Sequence, residues 1–341
     1  MEIDGMAAAG GPMSVTIPVA DSSAVGTVRR AALTLASDTG LSGESSSVIA
    51  LIATEAATNI VRHAREGAVH LRALADRRSR GVEVLAVDKG PGIHDVDRAM
   101  RDGFSTAGTS GTGLGAIRRL ASEFDLYTRS DVGTVLMARV RIPSGAQEYE
   151  DGVVCVPYPG ELVCGDGWLV NRTPTAVSVA LVDGLGHGID AARAASEATR
   201  AIMDAIGSSP ADMVRAAHGP LRATRGAALA VAMIDRTTSK LHFAGVGNIT
   251  ATIISASGAR NLASHNGIVG HELRKVQEFT YDWPPTASLI MHSDGLSARW
   301  RIDAYPALAA HSPAITAALL HRDFVRPRDD ATIVVVRDAA R

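Results

Sequence analysis

The chain has 341 residues, enough for about two domains, each with a core of its own. Its apolar fraction of 46% and charged fraction of 21% are those of a soluble globular protein, with no apolar run long enough to span a membrane. A formal net charge of -2 leaves no basic footprint for nucleic acid.

Residues 1–13 are small and Gly/Ala-rich, expected as a flexible tail and not a signal peptide. Residues 14–20 alternate like an edge strand, and Asp21 or Ser22 is placed to cap a helix to about residue 37. A second helix is expected over 43–64, where Val48, Ile49, Ile52, Ala53, Ala56 and Ile60 recur at the spacing of a buried stripe. Glu55, Asn59 and His63 fall four apart on it and share one face. Strands are expected at 68–75 and 82–87, the second running into Asp88-Lys89-Gly90-Pro91-Gly92-Ile93. Asp102-Gly103-Phe104-Ser105-Thr106-Ala107-Gly108 follows, then a glycine loop, Gly111-Thr112-Gly113-Leu114-Gly115, with a helix over 116–123 opening from it. That loop has neither the spacing of a dinucleotide fingerprint nor the ending of a P-loop. Strands at 125–129 and 133–142 close the first half.

Residues 143–152 are polar and broken by Pro and Gly, which reads as a short linker. The second half is strand-rich. Strands are expected at 153–156, 161–164, 168–171, 176–182, 227–234, 240–246, 249–255, 276–281, 287–291 and 331–336, with helices at 189–206, 211–223 and 313–322. Many strands with a paired helical block imply a layered α+β sandwich. Cys155 and Cys164 lack CxxC spacing, so they imply neither a zinc site nor a disulfide framework but inert thiols in a cytoplasmic protein.

Carboxylates fall at strand ends beside glycine or a small residue at Asp166, Asp183, Asp294 and Asp329-Asp330. In Asp183-Gly184-Leu185-Gly186-His187-Gly188 the carboxylate stands beside a bare backbone turn that glycine permits. Such an oxygen-rich set suits Mg²⁺ or Mn²⁺, and without cations the charges would repel.

The order in the first half is acid and amide on a helix, strand-Asp-x-Gly-x-Gly, a glycine loop opening a helix, then strand-Gly-Thr. It resembles the GHKL ATPases over residues 14–142, and within them the serine kinases of the RsbT and anti-sigma type. The resemblance implies a Bergerat α/β sandwich that binds ATP with Mg²⁺. It gives Asn59 the metal, Asp88 the adenine amino group and Thr134 a place near the base. Gly90 and Gly92 would admit the base, Gly111, Gly113, Leu114 and Gly115 would wrap the phosphates at a helix N-terminus, and Glu55 would be the general base. His63 is read as structural.

The second half, over residues 153–338 of a domain set at 153–341, resembles the PPM phosphatases and more closely their SpoIIE/RsbX-like branch. The motifs are Gly165-Asp166, Asp183-Gly184-x-Gly186-His187-Gly188, Gly245-Val246-Gly247-Asn248, Ser293-Asp294-Gly295 and Asp329-Asp330-x-Thr332. This implies a PPM-type αββα sandwich with two Mg²⁺ or Mn²⁺ ions. Asp183 would bridge them, the Gly184 carbonyl, Asp294 and Asp329 would complete the set, and Asp166 would act from its outer side. Asp329 is preferred to Asp330 because the first residue of that motif is usually the ligand. His187 is left either donating to a water or packing the turn. No arginine stands at a motif matching the one that eukaryotic relatives use to grip phosphate.

The two resemblances together imply a bifunctional partner-switching regulator, a serine kinase and an opposing phosphoserine/phosphothreonine phosphatase acting on STAS-type switch proteins. The alternative is a phosphatase whose first half only binds ATP or a partner and gates activity without phosphotransfer. The sequence leaves the oligomeric state open.

Overall fold

The computed structural model describes residues 11–75, 79–100, 113–142, 149–273 and 275–338. They form two compact units. One comprises residues 14–142 with Asp303–Asp323; the other comprises 149–302 with 324–338 and residues 11–13.

The first unit begins with β1 (Val15–Val19), α1 (Ser22–Asp38) and α2 (Glu44–Asn59). β2 (Gly67–Ala75), β3 (Arg80–Asp88), α3 (Val96–Ala99), α4 (Gly113–Leu120), β4 (Glu123–Arg129) and β5 (Gly133–Ile142) follow. The strands make one antiparallel sheet in the order β1-β2-β3-β5-β4. Asp21 caps α1 by accepting from Ser23 N at 2.8 Å, and Val28, Ala32 and Ala36 bury its four-residue stripe. α2 buries Ile49, Ile52, Ala53 and Ala56 against the same sheet face, which supplies Val69, Leu71, Val82, Val84 and Leu136.

At Asn59 the α2 backbone passes into a π-helical turn, Ile60–Ala64, closed by Arg65 at φ 69°. The helix expected over 43–64 therefore changes its winding within its last turn. His63 sits on the wider turn, so it leaves the four-residue register that Glu55 and Asn59 keep. Single π turns inside helices recur at functional positions.

The second unit holds β6 (Tyr149–Val156), β7 (Asp166–Arg172), β8 (Ala176–Gly184), α5 (Ile189–Asp204), α6 (Pro210–Leu221), β9 (Ala227–Asp235) and β10 (Lys240–Val246). It continues with β11 (Thr250–Ser255), β12 (Gly258–Asn261), β13 (Phe279–Asp282), β14 (Ser288–His292) and, after the helix α7 (Pro313–Phe324), β15 (Ala331–Asp338). Two five-stranded sheets result, ordered β13-β10-β9-β8-β7 and β12-β11-β14-β15-β6. Leu181, Phe243, Trp168, Met291 and Val334 fill the core between them. On the outer face of the first sheet α5 and α6 bury Ala194, Ala198, Ile202, Met213 and Leu221 against Ala180, Val182 and Val231. At the chain's described start, Gly11 N donates to Trp168 O at 2.6 Å and Trp168 Nε1 to Pro12 O at 3.2 Å.

Three further details differ from the sequence expectation. β6 begins at Tyr149, inside the stretch read as linker. Residues 161–164 are irregular instead of a strand and follow a turn in which Glu161 N donates to Tyr158 O at 2.9 Å. The third is α7, which lies in sequence between β14 and β15 yet clusters with the first unit. There the His321 ring meets His70 of β2 edge-on, centroids 5.3 Å apart, and Ser312 N donates to Asp125 of β4 at 2.6 Å.

Candidate functional site

Two constellations are assembled, one in each unit. In the first, Asp88 ends β3 with its carboxylate turned back on the chain. Its Oδ1 accepts from Gly90 N at 2.8 Å and from Thr134 N at 3.2 Å, so the predicted Asp88 and Thr134 are direct partners. Burial raises the Asp88 pKa from its ordinary value, opposed by those two N–H groups and by the charges of Arg322 and His63. The glycines let neighbouring chain pack closely where side chains would clash. A Cβ at Gly90 would stand 2.7 Å from Ala64, and one at Gly92, whose φ is 72°, would stand 2.2 Å from Arg129 O.

Asn59, at the end of α2, has an Nδ2 buried with no hydrogen-bond partner. A buried amide donor left unmade costs about 1–3 kcal/mol, a cost that a group bound there would offset. Glu55 is half-buried one turn earlier. Gly113, Leu114 and Gly115 form the first turn of α4, where a helix has N–H groups without intrahelical partners. Gly111, with the segment 102–108, lies outside the described residues.

In the second unit Asp183, Asp294 and Asp329 line a cavity of about 240 Å³, together with Tyr158, His187, Asn248 and Arg328. Asp183 is the penultimate residue of β8 and pairs in register with Asp166, the first residue of β7. Directly opposed residues of an antiparallel pair point to one face, which brings those two carboxylates together. Gly184 has no room for a side chain, because a Cβ there would lie 2.3 Å from Ala191 O. Gly186 and Gly188 take φ of 90° and 73° in the turn that leads into α5.

The remaining carboxylates are held by neutral donors. Ser293 Oγ donates to Asp166 Oδ2 at 2.6 Å, and Asn248 Nδ2 donates to Asp294 Oδ2 at 2.8 Å. Asp330 is buried away from the cavity and accepts from Tyr158 N at 2.8 Å, whereas Asp329 faces the cavity. The turn's His187 has its Nδ1 2.9 Å from Glu161 Oε1, and its ring stacks on Tyr158 with centroids 4.4 Å apart.

Burial, reinforced by Asp166, Asp294, Asp329 and Asp330, pushes the Asp183 pKa well above the carboxylate range. Asp166 and Asp329 are raised by burial and acidic neighbours too. Carboxylates that repel one another in a half-enclosed cavity fit a hard divalent cation, whose charge would reverse that cost. Among the described residues, no three His, Cys, Asp or Glu side chains are already drawn round one point as an ion would draw them. The donor chemistry fits Mg²⁺ or Mn²⁺.

Sequence reasoning named the carboxylates but missed Ser293 as the donor to Asp166, Tyr158 and Glu161 as the support of His187, and Arg328. Ser293 stood within a quoted motif; the other three carry no local signal.

Residues 19–140 match the family model for the histidine kinase-like ATPase domain, and residues 173–338 match that for stage II sporulation protein E (SpoIIE). Over 85 residues the chain is 41% identical to the serine/threonine-protein kinase RsbT of Bacillus subtilis (strain 168). That match spans 25% of this chain and 64% of RsbT's length. A solved structure described as "The bacterial stressosome: a modular system that has been adapted to control secondary messenger signaling" superposes with a TM-score of 0.53 and 29% identity, over 56% of this chain and 100% of its own. Among the described residues no helix is long and apolar enough to cross a membrane. The chain joins a histidine kinase-like ATPase domain, similar over 85 residues to the kinase RsbT, to a SpoIIE domain.

Proposed function

We propose that the chain is a bifunctional partner-switching regulator: an ATP-dependent protein serine kinase through its first domain and a metal-dependent phosphoserine/phosphothreonine phosphatase through its second. The observation that most supports this reading is the carboxylate set at the second domain's cavity, Asp183 with Asp294 and Asp329. The likeness to RsbT and the unbonded Asn59 amide support the kinase half. The substrates in this reading are STAS-type switch proteins, and the site of action is the cytoplasm.

In the phosphatase, two Mg²⁺ or Mn²⁺ ions, when bound, supply charge neutralisation and an activated water for attack at phosphorus. Asp183 would hold both ions, the Gly184 carbonyl, Asp294 and Asp329 would complete the set, and Ser293 fixes Asp166, the register partner of Asp183. In the kinase, Asn59 holds the Mg²⁺ that accompanies ATP. Asp88 takes the adenine amino group, with Thr134 N and Gly90 N keeping its carboxylate oriented. Gly90 and Gly92 would admit the base, Gly111, Gly113, Leu114 and Gly115 would wrap the phosphates, and Glu55 would accept the serine proton. The chemistry is mostly positioning and charge neutralisation.

Reciprocal variants test the reading. Asn59→Ala is expected to abolish phosphorylation of an STAS substrate and spare dephosphorylation; Asp183→Asn is expected to do the reverse. If each variant keeps both activities, the reading fails. If labelled ATP yields no labelled protein even with Asp183→Asn, the first domain binds ATP or a partner without transferring phosphate.

A further inference from the structure

The cavity of the second domain contains a cation that the roles above leave unused. Arg328 lines it beside Asp329 and is the sole arginine or lysine among its lining residues. Among the described residues its guanidinium makes no hydrogen bond or ion pair, although Asp183, Asp294 and Asp329 line the same cavity. A nearby arginine behaves differently: Arg225 is paired with Asp190 at 2.5 Å.

The backbone that carries Arg328 is anchored on both sides. Arg326 N donates to Gly295 O at 2.8 Å, next to Asp294. On the far side Asp330 accepts from Tyr158 N at 2.8 Å, and Thr332 N donates to Ser293 Oγ at 3.0 Å. Gly295 and Asp330 are so close that a Cβ on Gly295 would stand 1.9 Å from Asp330 O. The loop is therefore held against the carboxylate cluster while the Arg328 side chain stays uncommitted. Two other polar groups of the lining are engaged, Asn248 with Asp294 and His187 with Glu161.

A phosphomonoester is a dianion with three equivalent oxygens, and carboxylates that hold ions have no charge to offer it. A planar guanidinium presents two parallel N–H donors that match two phosphoryl oxygens. We infer that Arg328 grips the phosphate of a phosphoserine or phosphothreonine side chain from the rim of the cavity, while Asp183, Asp294 and Asp329 hold the ions. The inference rests on the phosphatase reading of this domain, and it supplies the phosphate contact that the motifs leave unassigned. Arg328 is here a substrate-binding residue that takes no proton and forms no bond.

The experiment uses full-length protein loaded with Mn²⁺, as wild type, Arg328→Ala and Arg328→Lys. Calorimetric titration with inorganic phosphate reads binding without turnover, and a phosphoserine peptide reads kcat and KM. Charge-assisted hydrogen bonds are worth about 1.5–3 kcal/mol, so Arg328→Ala is expected to weaken phosphate binding and raise KM by about 10- to 100-fold. Its Mn²⁺ affinity and melting temperature should match wild type, and Arg328→Lys should recover part of the loss. Unchanged phosphate affinity in Arg328→Ala overturns the inference, as does a parallel loss of Mn²⁺ binding, which would make the residue a support of the metal site. If wild type hydrolyses no phosphopeptide, the phosphatase reading falls by itself. The phosphate titration then still decides whether Arg328 binds an anion.

Discussion

Asp166 and Asp183 face each other across the β7–β8 ladder as direct register partners. Like charges placed so are destabilising, and both carboxyl groups are held above their ordinary pKa by burial and by further acidic neighbours. The ion-free fold therefore carries a cost that a divalent cation would remove. Mn²⁺ at about 100 times its Kd should stabilise the chain by about 2.7 kcal/mol, seen as a higher melting temperature than in EDTA. Asp183→Asn should do the opposite to each arm, raising the EDTA melting temperature and abolishing the gain on Mn²⁺. Identical melting of wild type in EDTA and in excess Mn²⁺ would remove the case for a metal centre.

Asn59 gives a second test, independent of turnover. Its Nδ2 is buried without a partner, so Asn59→Ala removes an unsatisfied donor from the nucleotide-free fold. The expected change in urea stability is within about 1 kcal/mol of wild type, while the Mg²⁺-dependent part of ATP binding falls by about tenfold or more. Fluorescent ATP-analogue titrations with and without Mg²⁺ separate the two. A variant that keeps the full Mg²⁺ dependence shows that the amide has another purpose.

Both outcomes depend on features of different legibility. The strands that lead to Asp88, Asp183 and Asp294 could be read because each is a short apolar run followed within a few residues by an acid and a glycine, a pattern set by local backbone demands. The carboxylates were found for the same reason. The π turn at Ile60–Ala64 could not be read, because residue spacing does not report which carbonyl each N–H chooses. α7 shows the other limit. It is buried from Pro313 to His321 on every face, so it lacks an amphipathic stripe to show where it packs. Its grouping with the first unit rests on contacts such as Arg322 with the Asp88 carbonyl at 2.7 Å, made between residues far apart in the chain.

The same helix supplies a pH dependence. His321 and His70 are both fully enclosed and meet edge-on, and burial depresses their pKa values from 6.5 to about 3 and about 4, with their mutual charge adding to the effect at His321. Both rings are therefore neutral when folded, whereas in the unfolded chain they take up protons near pH 6.5. Their contribution is fully present above that pH and is lost as pH falls towards 4. A shift of this size corresponds to roughly 3 kcal/mol for His70 alone. Urea unfolding of the wild type should show stability falling from pH 7 to pH 4.5, and His321→Leu should reduce the slope. An equal slope in wild type and variant would assign the acid sensitivity to other groups.

Beside that pair lies an ionic cluster on the same face of the first unit's sheet. Glu83 on β3 is fully buried and accepts from Arg72 Nε at 3.0 Å and Arg139 Nε at 2.7 Å, while Arg139 also reaches Glu123 at 2.8 Å. Burial alone would raise the Glu83 pKa, but the two guanidinium groups outweigh it and hold the carboxyl below its usual value. Glu83→Gln keeps the shape and removes the charge, leaving Arg72 and Arg139 buried with their main counter-ion gone. Breaking a buried pair in this way costs about 3–5 kcal/mol, whereas exchanging every member for apolar residues of similar volume is often neutral. Chemical unfolding should therefore show Glu83→Gln far less stable than wild type. Because Glu83 takes no part in the proposed kinase chemistry, ATP affinity measured well below the unfolding midpoint should be unchanged. A cost under about 1 kcal/mol would mean that Glu123 compensates Arg139 unaided and that Arg72 is neutralised elsewhere.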